Sequence, residues 1–347
     1  MSLPILASVF GTEIGKEEAV LLKKLSPLGI SLFARNVKDK DQLRNLVAQI
    51  KEILGENALV AIDQEGGRVR RLAEPNWQGY ASQFVLGQLP VEVCKMHAAL
   101  IAQDLNELGI NLNYAPVLDN LYEQTHPVLK SRCFGNDVSE RGRVMIETYI
   151  KNGICPCMKH MPGHGRAESD PHLGLPVISV DDFELAKDME PFAKNSDCPA
   201  GMTAHIVVPQ VDSLPVTMSA KAIDVLIRGK IGFDGLLISD AVDMKALQGS
   251  IRERAERSLS AGCDVVCYCG GDLKELSELA AIKRKISDKT EERLERIYKI
   301  VAGQQKNIVE YADYAQAVSE IEPYKEEYDA TEVLNLMKKK QSKLFVS

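Results

Sequence analysis

The chain lacks most of the marks that would assign it to a specialised class. No stretch reaches the about 18 to 20 consecutive apolar residues that a membrane-spanning helix needs, so no membrane insertion is expected. The opening "MSLPILASVFGTEIGKEE" has no basic leader and meets charge at Glu13, which predicts a cytoplasmic protein without a signal peptide. No excess of positive charge is present: the formal net charge is −7, and basic residues cluster only near the end, in "MKKKQSK". A nucleic-acid partner is therefore not expected, and small molecules are. No CxxC pair occurs among the eight cysteines. "CPC" (155–157) and "CYC" (267–269) lie in apolar, strand-like runs, where alternation explains them as small buried hydrophobes. Without a leader they read as reduced thiols, and no metal site is expected from them.

What is present is repetition. Eight short apolar runs recur at residues 3–11, 29–35, 58–65, 110–119, 154–160, 200–208, 235–241 and 263–269. Segments with helical periodicity separate most of them, among them 39–54, 93–109, 139–153 and 181–195. Strand and helix alternating about eight times predicts a (β/α)8 TIM-type barrel, with an open doubly wound sheet as the alternative. No linker block rich in Pro, Gly or Ser divides the 347 residues, so one domain is expected, with residues from about 283 to 347 forming peripheral charged helices outside the barrel.

In such barrels the chemistry sits where strands give way to loops. Here the runs end in Arg35, Asp63-Gln64-Glu65, Asp119, Lys159-His160, His205 and Ser239-Asp240. Asp63 could accept hydrogen bonds from substrate hydroxyls or merely start a helix. The glycines that follow it, Gly66 and Gly67, permit positive φ or close approach to a ligand. Arg132 presents a fork of donors suited to paired oxygens, yet alone it reads more readily as a surface arginine. Asp240 follows apolar residues that would not bury an unpaired carboxylate without cost. It is the best nucleophile candidate, with Asp243 as competitor and a helix-capping role as the alternative.

"KHMPGHGRAESDPH" (159–172) concentrates three of the six histidines on one Gly/Pro-rich segment. Histidine titrates near neutrality and can give and take a proton. His160 adjoins Lys159, His164 lies between Gly163 and Gly165, and His172 follows Asp170 by two. Pro171 favours an extended backbone at Asp170, which turns the Asp170 and His172 side chains the same way. The glycines are expected to let this segment move.

These blocks resemble the NagZ-type β-N-acetylhexosaminidases of glycoside hydrolase family 3. "FARN", "DQEGGRV", "KHMPGHG", "SDPHLGLP", "MTAHIVVP", "ISDAVDM" and "AGCDVV" occur in the family's order, from about residue 5 to residue 270. The resemblance implies a retaining exo-β-N-acetylglucosaminidase of cytoplasmic cell-wall recycling, acting on N-acetylglucosamine linked to 1,6-anhydro-N-acetylmuramic acid with or without a peptide. It further implies that Asp240 is the nucleophile, that His172 with Asp170 is the acid/base pair, and that Asp63, Arg132, Lys159 and His160 hold the sugar ring. No cofactor or metal is implied, and a monomer is expected. The chain departs from the family at Ala241-Val242, where "SDDL" is common, and at Cys133, where "RSFG" is common. Residues 73–84 fit less well and leave the aglycone side open.

Two other chemistries fit parts of the residue set. A metal-dependent hydrolase would draw on His160, His164, His172, His205 and Asp63. A Schiff-base lyase would use Lys159.

Overall fold

The computed structural model describes residues 2–168, 174–303 and 309–319. Eight parallel strands each overlap one of the expected runs: β1 (Leu3–Ser8), β2 (Pro27–Leu32), β3 (Leu59–Ile62), β4 (Leu112–Asn113), β5 (Cys155–Met161), β6 (Ala200–Thr203), β7 (Leu236–Ile238) and β8 (Val266–Cys267). They pair in the order β7-β6-β5-β4-β3-β2-β1-β8. A parallel bridge between Ile238 and Val265 joins the two ends. The sheet thus closes on itself, which makes the fold a (β/α)8 barrel and removes the open doubly wound alternative.

Strand side chains alternate between the two faces, and the alternation sorts this sequence cleanly. Leu59 and Ala61, Leu112 and Tyr114, Cys155 and Cys157, Ala200 and Met202, Leu236 and Ile238, and Val265 and Cys267 form one buried cluster inside the barrel. The residues between them, such as Val60, Ile62, Met158, Leu237 and Val266, belong to the layer between sheet and helices. Cys155, Cys157 and Cys267 are therefore small core residues, as expected, and burial pushes the Cys155 and Cys157 thiols well above their ordinary pKa. Carried past the strand ends, the same alternation aims Asp63, Lys159 and Asp240 inward at the C-terminal mouth, where all three line one pocket.

The helices begin where side chains can satisfy their free N–H groups. Asp39 caps Lys40–Leu54, Asp181 caps Asp182–Ala193, and Ser250 with Glu253 forms a capping box on Ile251–Ala261. The helix Asp288–Ala302 differs from the expectation of a merely peripheral tail. Its Leu294 and Ile297 join the inside-barrel cluster. Its Arg293 bonds Asp264 and the Asp234 carbonyl, which precede β8 and β7, so the helix closes the N-terminal end of the barrel. Farther on, Tyr311–Ser319 buries Tyr314, whose hydroxyl accepts from the Ala81 N–H at 2.8 Å and lies 3.0 Å from His97 Nδ1. Among the described residues no helix is long and apolar enough to cross a membrane.

Candidate active site

The mouth of the barrel holds a pocket of about 630 Å³ lined by Asp63, Arg132, Lys159, His160 and Asp240, together with His164, Arg71, Phe33 and others. Five of the seven predicted site residues are thus brought together. Asp170 and His172 lie outside the described residues.

One wall is a lattice of opposite charges. Lys159 Nζ lies 2.7 Å from Asp63 Oδ1 and 2.6 Å from Glu65 Oε1. Arg132 grips Glu65 with two parallel bonds of 2.8 Å from Nε and Nη2, and Arg71 Nη2 donates to Asp63 Oδ2 at 3.0 Å. Burial alone would raise both carboxyls, but Lys159 and the two arginines outweigh it and hold Asp63 and Glu65 below the usual carboxylate range. Burial likewise works against a charged Lys159, and the two carboxylates reverse it and raise its pKa. An ammonium so held is protonated and not nucleophilic, which removes the Schiff-base reading.

Next to this lattice, buried Asp119 fixes the turn after β5. Its Oδ2 lies 2.7 Å from His160 Nδ1, and its Oδ1 accepts from the His164 N–H at 2.7 Å. Among the described residues no three or more His, Cys, Asp or Glu side chains are grouped so as to hold a metal ion. His205, a member of the metal set considered from the sequence, instead donates from Nε2 to the Ala241 carbonyl at 2.9 Å and meets Thr217 Oγ1 through Nδ1 at 2.8 Å.

Asp240 follows β7 at the same mouth. Its N–H donates to Thr203 Oγ1 at 3.2 Å, and its Oδ1 accepts from the Ala241 N–H at 2.8 Å. Burial raises its carboxyl, but His205, His160, the Ala241 N–H and Lys159 together lower it, so it is ionised near neutrality. It caps no helix, since the next one starts at Ile251 under Ser250. Asp243, its competitor, lines the same pocket and accepts from the Cys269 N–H at 2.8 Å.

The glycines of both motifs pack against the protein itself. Gly66 and Gly67 do take positive φ, but their close neighbour is the protein itself: a Cβ would lie 2.3 Å from the Ala81 carbonyl oxygen and 2.5 Å from Ser82 Cβ, respectively. Gly163 and Gly165 each admit a close neighbour. A Cβ on Gly163 would lie 2.9 Å from Asp188 Cβ, and one on Gly165 would lie 1.8 Å from the Asn120 carbonyl oxygen. The neighbouring segment is also tied down, because Thr125 Oγ1 donates to the Gly165 carbonyl at 2.5 Å and Arg166 pairs with Asp188 at 2.8 Å.

Sequence reasoning did not single out Glu65, Arg71 or Asp119 as partners. Glu65 had a usable signal, since it lies two residues beyond Asp63.

Residues 5–300 match the glycosyl hydrolase family 3 N-terminal domain. This chain belongs to glycosyl hydrolase family 3. A β-hexosaminidase of Chromobacterium violaceum is 34% identical over 312 residues, covering 85% of this chain and 86% of that one. A β-hexosaminidase of Bordetella avium is 32% identical over 281 residues, covering 77% and 80%. The fold matches that of NagZ from Neisseria gonorrhoeae, solved in complex with N-trifluoroacetyl-D-glucosamine, with a TM-score of 0.83 at 30% identity over 93% of this chain and 99% of that one. The helix Tyr311–Ser319 lies beyond the span that matches the family 3 domain.

Proposed function

We propose that this family 3 glycoside hydrolase is a retaining exo-β-N-acetylglucosaminidase with Asp240 as its nucleophile. The coarser activity, that of a β-hexosaminidase, follows from the family and from relatives alike over most of their length. The observation that carries the finer reading is the ionised Asp240 carboxylate, anchored through one oxygen to the Ala241 N–H and facing the donor-rich wall of the same pocket.

In this reading an Asp240 carboxylate oxygen attacks the anomeric carbon as the bond to the leaving oxygen breaks. His172, oriented by Asp170, protonates that oxygen. Water then displaces Asp240 while His172 takes its proton, so two inversions give net retention. The roles of His172 and Asp170 rest on the resemblance of "SDPH" to the family's motif. Asp63, Arg132, Lys159 and His160 hold the sugar. Lys159 supports this: of its three donor hydrogens two serve Asp63 and Glu65, and one remains for a hydroxyl. The steps call on no metal or organic cofactor.

The substrate we propose is N-acetylglucosamine on 1,6-anhydro-N-acetylmuramic acid, with or without peptide, cleaved in the cytoplasm by a monomer during cell-wall recycling. Hydrolysis of p-nitrophenyl N-acetyl-β-glucosaminide followed by proton NMR tests the reaction. The β-anomer should appear first. First release of the α-anomer would mean a single displacement and would remove Asp240 as nucleophile, and preference for a glucoside over the N-acetylglucosaminide would reassign the sugar.

A further inference from the structure

His164 is a pocket residue whose chemistry the mechanism above leaves unused. Its side chain is 3% exposed and lines the pocket. Among the described residues neither buried ring nitrogen has a hydrogen-bond partner. Its backbone, by contrast, is fixed: the N–H donates to Asp119 at 2.7 Å and the carbonyl accepts from the Ala167 N–H at 3.0 Å. The nearest imidazole, His160, is 5.8 Å away between ring centroids at 60°, too far for a bond between them, and its Nδ1 is occupied by Asp119. A buried donor and a buried acceptor both left unmade are costly to a folded protein, and such a pair is retained where a ligand completes it.

We infer that His164 is a specificity-determining residue that hydrogen-bonds an uncharged polar substituent of the bound sugar, a hydroxyl or an amide. Burial lowers its pKa to about 4, with Asp119 and Asp240 opposing the shift, so the ring is neutral at working pH. A neutral imidazole offers one donor and one acceptor, which matches a hydroxyl or amide and not an ammonium or carboxylate. The same neutrality separates His164 from a group that must exchange a proton near pH 7. The inference rests on the reading of this pocket as the sugar site.

The test is His164→Leu beside His164→Gln. Leucine removes both orphan atoms at similar volume. The free enzyme should therefore gain about 1 to 3 °C in Tm, while kcat/KM for p-nitrophenyl N-acetyl-β-glucosaminide and affinity for free N-acetylglucosamine each fall roughly tenfold. Glutamine, which keeps a donor and an acceptor, should recover most of the sugar affinity. The loss should be equal for good and poor aryl leaving groups. Unchanged kcat/KM and affinity in His164→Leu would overturn the inference whatever Tm does, and a loss confined to poor leaving groups would make His164 an acid/base group instead. If the wild-type enzyme neither cleaves the substrate nor binds the sugar, the reading of the pocket fails before that of His164.

Discussion

On the side of the pocket built from β3 and β5, every charge faces its opposite: Asp63, Glu65, Lys159, Arg71 and Arg132 satisfy one another at 2.6 to 3.0 Å. On the β7 side of the mouth, Asp240 shares one oxygen with a backbone N–H. The first wall is complete before a ligand arrives, so it can orient a sugar with little reorganisation. The second keeps free valence where bonds must be made and broken. This contrast assigns positioning to one wall and reaction to the other, and each prediction below presses on it.

The largest effect belongs to the reactive wall. Asp240→Ala should lower kcat/KM at least roughly 10⁴-fold for every leaving group, the scale of removing a group that forms the covalent intermediate. Steady-state kinetics on aryl N-acetyl-β-glucosaminides measures it. Residual activity above that level would return the role to another carboxylate. His172→Ala should be selective: natural sugar leaving groups should lose about 10² to 10⁴-fold more than activated aryl ones, whose turnover should show a burst as deglycosylation becomes limiting. Equal losses across leaving groups would show that His172 is not the acid.

The positioning wall should fail through stability as well as rate. Lys159→Met leaves Asp63 and Glu65 facing each other without their shared cation. A loss of about 3 to 5 kcal/mol is expected, as for other broken buried pairs. Both carboxyls have folded pKa values below their unfolded ones. Their stabilisation is therefore complete above the unfolded values near about pH 4 and is lost as pH falls through the lowered folded values. In Lys159→Met the folded values rise, and thermal unfolding across pH should show the acid-side decline beginning at higher pH than in the wild type. An unchanged profile would mean that Lys159 does not hold the lattice together.

The smallest expected effect concerns the segment between the walls. Gly165→Ala should cost about 1 to 3 kcal/mol, because its Cβ would meet the Asn120 carbonyl oxygen. Gly174→Ala, with nothing within 4 Å of its Cβ, should be near neutral. Equal, small effects in urea unfolding would mark Gly165 as a point of flexibility.

Much of this was legible in the sequence, for a local reason. The eight strands announce themselves as apolar runs even where β4 and β8 are only Leu112–Asn113 and Val266–Cys267. The period of two within each run then carries Asp63, Lys159 and Asp240 to the inner face. Partner choice was not legible. That Lys159 bridges Asp63 and Glu65, or that Asp119 holds His160 and His164, depends on which strand ends face one another across the mouth. Gly163 and Gly165 were ambiguous for the same reason: a glycine that admits a close neighbour and one that admits motion look alike until Asp188 and Asn120 are in place. The helix Asp288–Ala302 read as a charged surface helix because few of its side chains, Leu294 and Ile297 with Tyr298 and Val301 beside them, pack against the barrel interior.

The central claim is that Asp240 forms a covalent bond to the sugar. Incubation with a 2-deoxy-2-fluoro or 5-fluoro glycosyl fluoride, followed by intact-mass analysis and peptide mapping, tests it most directly. The account predicts inactivation accompanied by one glycosyl adduct per chain, located on Asp240. Inactivation without an adduct, or an adduct on any other residue, would contradict it.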